Sequence, residues 1–253
     1  MKVIRDTRTM FIREITPALR QPVGLLFTMG QPLLFLFLFG PLLAGNEMFA
    51  AQGEASAWQW FVPGILIMMC ITGPMMAGYM LLMELVGGSM ERMLVTPMSR
   101  TAMMIGRTLK EIALLLVQAV LLIGLALPLG FRLYLPGVLA GLILLVVLGV
   151  GLGAFSFALA IASQPGGELF YMVTQAVMFP LILLSGMLLP LDSGPTWLQV
   201  LGRINPVSYI VDAERMLFAG TYANPSVLYG SAAALLIAAV GVTIGTRSMR
   251  RGI

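Results

Sequence analysis

Apolar residues run through this chain in long blocks, and charges fall only between the blocks. No Asp, Glu, Lys or Arg interrupts 21–46, 55–83, 112–131, 133–167, 169–191 or 216–246. A helix crossing a bilayer needs ~20 predominantly apolar residues. Each block is long enough for one such helix and too short for two with a turn. The pattern predicts six spans, at 23–43, 58–83, 108–130, 137–162, 169–190 and 226–247. The predicted fold is an all-α integral membrane protein, with a single transmembrane domain over 1–253.

Three amphipathic stretches lie outside the spans. Between 3 and 20, Ile4, Phe11, Ile15 and Ala18/Leu19 share one helical face, and Arg5, Arg8, Arg13 and Arg20 fill the rest. This spacing predicts a basic helix in the headgroup plane over 1–22, the alternative being a solvated basic tail. In 87–100, GGSMERMLVTPMSR, the residues Met90, Met93, Leu94 and Pro97 recur at helical spacing, with Glu91, Arg92 and Thr96 off that face. Thr96 precedes proline, so this short helix stops there, and Ser99 or Thr101 can cap the next helix, which climbs through Arg107 and Lys110 into span three. An exposed apolar stripe flanked by charge can dock a partner or rest on a membrane. In 191–225, Trp197, Leu198 and Leu201 predict one short helix, Asn205-Pro206 breaks it, and Tyr209 to Phe218 forms a second. This outer segment either re-enters the leaflet or caps the surface. Prolines 32, 41, 74, 180 and 190, together with Gly186, mark expected kinks.

Composition agrees with lipid as the solvent. The chain is 59% hydrophobic and 10% charged, where a soluble domain is about 45–50% apolar and about 25% charged. Basic residues set the orientation. With the N-terminus inside, the outer segments hold only Arg132, Arg203 and Arg215 of the 15 Lys and Arg residues. Both termini are therefore expected inside. This bias accounts for the net charge of +4, and no basic patch interleaved with aromatics points to nucleic acid. The first 22 residues lack the apolar core of a cleavable signal. The single cysteine, Cys70, excludes an intrachain disulfide.

The missing chemistry narrows the function. There is no histidine, hence no histidine metal site, no Ser-His-Asp triad and no imidazole relay. No aspartate lies inside a span. The only lysines, Lys2 and Lys110, do not follow a glycine, so the chain has no P-loop of its own. Glu84, Glu111 and Glu168 sit at span ends, where a helix-end carboxylate in water is the simplest reading. Uphill transport by such a chain needs energy from a partner.

Two stretches carry a family resemblance. GGSMERMLVTPMSRTAMMIGRTLKE resembles the cytoplasmic segment of ABC-2 type transporter permeases, whose pattern is roughly a Gly-rich lead and then Glu-(Arg/Gln)-Leu-Leu-Val-(Thr/Ser)-Pro-(Leu/Met)-(Ser/Pro)-Arg. Met93 stands here in place of the more usual leucine. LSGMLLPLDSGPTWLQVLGRINPVSYIVDAERMLFAG is similar to the family's second motif, with Ser185, Gly186, Pro190, Trp197, Asn205, Pro206, Tyr209, Asp212 and Arg215 in the matching places. The chain is most similar to small exporter subunits related to daunorubicin-resistance and nodulation-factor permeases.

The resemblance implies a transport subunit in a prokaryotic cytoplasmic membrane. It implies a separate ABC ATP-binding subunit that carries the ATP and Mg2+, a second permease copy (identical or related), and no cofactor on this chain. The 87–100 helix is then a coupling helix, with Met90, Glu91, Arg92, Met93, Leu94, Thr96, Pro97 and Arg100 as docking residues. If spans two and five face each other between subunits, Met68, Met69, Met75, Met76, Met172, Gln175, Met178 and Phe179 are candidates for the substrate path. Methionine adapts to varied apolar ligands, so the cargo class is amphipathic, drug-like, lipid-linked or glycan. The competing readings are a channel or secondary transporter that needs no ATPase, and a membrane scaffold or lipid-binding protein.

Overall fold

A computed structural model describes residues 2–20, 22–44, 57–88, 99–188, 190–191 and 194–252. Its elements are α1 (Lys2–Arg20), α2 (Pro22–Ala44), α3 (Ala57–Val86) and α4 (Arg100–Ala126), which ends in a 3-10 turn (Leu127–Leu129). Next come α5 (Leu135–Ala162), α6 (Glu168–Val173), a π turn (Thr174–Met178) and α7 (Phe179–Leu183). The chain closes with α8 (Thr196–Ile204), α9 (Pro206–Phe218) and α10 (Pro225–Gly252). No strand occurs among the described residues.

Four helices are long and apolar enough to cross a membrane: α3, α4 with its 3-10 turn, α5 and α10. Thr28–Leu42 and Glu168–Leu183 are apolar but shorter. The helix of the third predicted span begins at Arg100, directly after Ser99, and carries Arg107 and Lys110 ahead of the span; Arg107 pairs with Glu84 of α3, and Lys110 with its own neighbour Glu111. The fifth predicted span ends at Leu183 rather than 190. Its chain turns at Ser185, whose hydroxyl donates to Ile182 O at 2.6 Å, and at Gly186, which takes φ 72°. The break before Pro180 is a single π turn. It widens the helix where the proline ring meets the preceding carbonyls.

α5 is the central helix and carries no charge. It packs on α3, α4, α9 and α10, and its densest contact is with α10. That contact is backbone against backbone. Gly241 of α10 meets Gly151 O, and a Cβ on Gly245 would lie 2.8 Å from Ala154 O. Small residues one turn apart let membrane helices approach this closely. The core lies along α3, where 67% of the most apolar window is buried, against 28% for α4 and 17% for α10. α4 and α10 therefore leave their outer faces uncovered by the rest of the chain.

Replacing Gly241 with Leu forces α10 away from α5 and is expected to cost at least about 1–3 kcal/mol, read as a lower thermal midpoint of the detergent-solubilised chain. Gly153→Ala on the same α5 meets nothing within 4 Å and is expected to leave the midpoint unchanged or raise it.

Candidate functional site

Polar side chains gather at the two ends of α3. At one end, α1 lies across the start of α4. Gly106 makes this approach possible: a Cβ there would stand 2.7 Å from Met10 Cβ and 3.1 Å from Phe11 N. Met10 is fully buried as a result. Arg107, one residue on, reaches Glu84 at the end of α3 in a close ion pair and Glu14 of α1 at 3.7 Å. Its side chain is only 9% exposed. Asp6 of α1 accepts a hydrogen bond from Ser99 N at 3.4 Å. Three helices are thus clamped around one guanidinium. The clamp brackets the 89–98 segment between Gly88, at φ 70°, and Ser99.

Of the predicted docking residues, Met90, Glu91, Arg92, Met93, Leu94, Thr96 and Pro97 lie outside the described residues. Arg100 opens α4, and its side chain is outside them too. What the structure does place is their frame, the Arg107 clamp.

The candidate path residues do not come together within one chain. Met68, Met69, Met75 and Met178 are 2–7% exposed and belong to the packed core. Met76, Met172 and Phe179 are half or more exposed, and Gln175 on the π turn is exposed beside them. The outward group shares a face with Tyr171, which sits edge-on to Tyr79 at 5.8 Å between ring centroids.

At the other end of α3, the outer motif forms a hydrogen-bonded clasp. Asn205 caps α9 by accepting from Val207 N at 3.0 Å, and its amide donates to Leu181 O at 2.8 Å, tying α9 to α7. Pro206 takes the first helical position, where no N–H is missed. The Tyr209 hydroxyl donates to Arg203 O at 2.7 Å. Arg215 pairs with Asp212 at 3.5 Å and donates to Gly186 O at 2.8 Å and Trp60 O at 3.2 Å. Its guanidinium lies 3.7 Å over the Trp60 ring. Gln59 completes the clasp: its amide donates to Phe218 O at 2.7 Å and Arg132 O at 2.9 Å, and its oxygen accepts from Arg132 N at 3.0 Å. A cavity of about 340 Å³ opens here, lined among others by Trp60, Arg203, Tyr209, Asp212 and Arg215.

The comparisons with known proteins bear on both ends. The model of a family described as ABC-2 type transporter matches residues 5–219. The chain belongs to the ABC-2 type transporter family. It is 29% identical over 214 residues to the putative transport permease ycf38 of Cyanophora paradoxa, covering 84% of this chain and 72% of that protein. It is 28% identical over 203 residues to the daunorubicin resistance ABC transporter permease protein DrrB1 of Streptomyces coeruleorubidus, covering 79% and 70%. It is also 28% identical over 246 residues to a probable doxorubicin resistance ABC transporter permease protein, DrrC, of Mycobacterium tuberculosis, covering 93% and 86%. The family match spans α1, the Arg107 clamp and the outer clasp together. This ABC-2 member is a membrane protein of the transport-permease kind.

Sequence reasoning missed several residues of these assemblies. Glu84 reads as a solvated helix end but pairs with Arg107. Gln59 gives no signal beyond being a polar residue at the start of an apolar run. Glu214 is different, because its position is readable. Val207, Ile210, Val211, Leu217 and Phe218 trace one buried stripe of α9, and Glu214 falls on that stripe. It is 0% exposed, and neither carboxyl oxygen has a hydrogen-bond partner. Desolvation pushes its carboxyl up to about 8.

Removing one partner of a buried ion pair costs more than the pair itself contributes. Arg107→Gln is expected to destabilise the clamp by about 1–3 kcal/mol and to make α1 more sensitive to limited proteolysis. Glu84→Gln should do so more strongly than Glu14→Gln, because Glu84 makes the closer contact.

Proposed function

We propose that this chain is the membrane-spanning subunit of an ATP-driven exporter, powered by a separate ABC ATP-binding subunit. The observation that carries the reading is the Arg107 clamp, which joins α1, the end of α3 and the start of α4 into one platform around 87–100. A platform held by ion pairs at the lipid boundary transmits a push on 87–100 directly into α3. ATP and Mg2+ belong on the partner. The match to the family over 5–219, and relatives named as ABC transporter permeases, support this division of labour.

In this reading the two shorter apolar pieces, Thr28–Leu42 and Glu168–Leu183, also cross the membrane, giving six spans. The N- and C-termini face the cytoplasm, where the basic residues concentrate. The membrane is the cytoplasmic membrane of a prokaryote. The subunit works with a second copy, identical or related, and the exposed face holding Met76, Met172, Gln175 and Phe179 lines the space between copies. A wall of methionine, aromatic and amide groups suits an amphipathic, drug-like, lipid-linked or glycan cargo. Two of the similar proteins carry drug resistance in their names.

Gentle purification of the chain from its native membrane, with mass spectrometry of what accompanies it, tests the reading. A Walker-type ATPase is expected to co-purify and to be lost in Leu94→Arg, which places a charge on the apolar stripe. A stable assembly with no ATPase, in the wild type as in the variant, contradicts it and favours a channel or secondary transporter.

A further inference from the structure

Glu214 is unlike the other acidic groups in the described residues. Glu14, Glu84 and Glu111 each have a basic partner, Asp212 has Arg215, Asp6 accepts from Ser99 N, and Glu168 is exposed. Glu214 has neither a cation nor a hydrogen-bond donor on either oxygen. The fold has nevertheless made room for it. Gly141 of α5 stands opposite, and a Cβ there would lie 2.7 Å from Glu214 Oε1 and 3.0 Å from its Cδ. Gly137, one turn earlier, receives Leu217 O, and Gly230 of α10 receives Tyr209 O on the other flank. α9 is therefore wedged between the backbones of α5 and α10, with a carboxyl group fitted into the notch at Gly141.

No group around the notch can hold the charged form. α5 contains no titratable or charged residue at all. α3 offers Cys70, whose thiol donates to Leu145 O at 3.3 Å, while its Tyr79 and Glu84 belong to the half that carries the Arg107 clamp. On α10, Tyr229 is 61% exposed, and Arg247 belongs to the far end, where Ser248 meets Ala158. Asp212 and Arg215 on α9 itself pair with each other on the cavity side. Arg132, Tyr134 and Tyr222 in the flanking loops are exposed. An isolated carboxylate in such a place costs far more than its neutral acid, which leaves only an unmade hydrogen bond.

We propose that Glu214 is a proton-binding site, and that α9 stays seated between α5 and α10 only while this carboxyl carries its proton. When α9 lifts, the carboxyl meets water, releases the proton to it and is stabilised as the hydrated anion. Lifting α9 also opens the cavity on its opposite face, lined by Tyr209, Asp212 and Arg215. In the exporter reading that cavity faces the outside, so external alkalinity favours the open outer end and external acid favours the closed one.

The sign follows from linkage. Seated, the group titrates near 8, and lifted it returns to about 4.3. Between those values the seated state holds one more proton. Seating is therefore fully favoured below the lower value, weakens as pH rises, and levels off above the upper one. From pH 6 to pH 8 the ratio of seated to lifted α9 should fall about fiftyfold.

Hydrogen exchange of the α9 amides in the full chain, in nanodiscs of phosphatidylethanolamine and phosphatidylglycerol, reads this ratio once intrinsic exchange rates are divided out. Wild-type protection is expected to drop by about that factor from pH 6 to pH 8, and Glu214→Gln, a permanently neutral isostere, is expected to stay flat. A flat wild type, or an equal slope in the variant, overturns the proposal. A second measurement needs no variant. Infrared spectra of the chain with ¹³C-labelled glutamate should show a protonated-acid carbonyl band at pH 6 that fades above pH 8, and absence of that band at pH 6 also overturns it. Neither measurement involves an ATPase or a cargo, so the proton site and the exporter reading can fail separately.

Discussion

In hydrocarbon a polar group has no partner except the protein itself. This constraint sorts the molecule. The charged and amide side chains of α3 that reach other helices lie at its two ends, and its middle is a packed column of aliphatic, methionine and cysteine side chains, with the Cys70 thiol donating to Leu145 O. At one end Glu84 enters the Arg107 clamp, and at the other Gln59 enters the outer clasp. The two lie 25 residues apart on one continuous helix, roughly 40 Å by helical rise. α3 is thereby the mechanical link between the face that carries α1 and the face that carries α9.

Close helix contact does the rest. α5, with its glycines at 137, 141 and 151, lets α9 and α10 approach to backbone distance. Such contacts are bistable rather than soft, because a packed interface either fits or separates. The same notch that admits α9 also admits a carboxyl group without a counter-ion. A seat of this kind holds a helix firmly in one protonation state and poorly in the other. This end of the molecule thus combines a clasp around Arg215 and Gln59 with one weak point at Glu214.

Much of this was legible in the chain, for reasons that particular residues show. The apolar runs of α3, α5 and α10 exceed the length a membrane requires, so their existence follows from hydrophobicity alone. The broken helix at Asn205-Pro206 is legible because a capping side chain and a missing N–H act locally. The pairing of Arg107 was not legible, because it depends on Glu84 and Glu14 of two other helices, whereas Lys110 pairs with its own neighbour Glu111. The turn at Ser185-Gly186 falls on Gly186, one of the expected kinks, but that the helix stops before it and not at Pro190 was not legible. The methionine set illustrates a different limit. Met68 and Met172 are chemically alike, and only packing separates the one in the core from the one on the outer face. Glu214 could have been found, since it falls on the apolar stripe of α9. Its lack of a partner could not, because that depends on what α3, α5 and α10 do not offer.

The central claim is that motion supplied by a partner ATPase travels through the Arg107 clamp and α3 to open the outer end. Cargo flux in proteoliposomes tests it most directly, with a fluorescent amphipathic probe as cargo and the permease reconstituted with and without its co-purifying ATPase. The account predicts flux only when permease, ATPase and ATP are all present. Equal flux from the permease alone, without ATP, would contradict it.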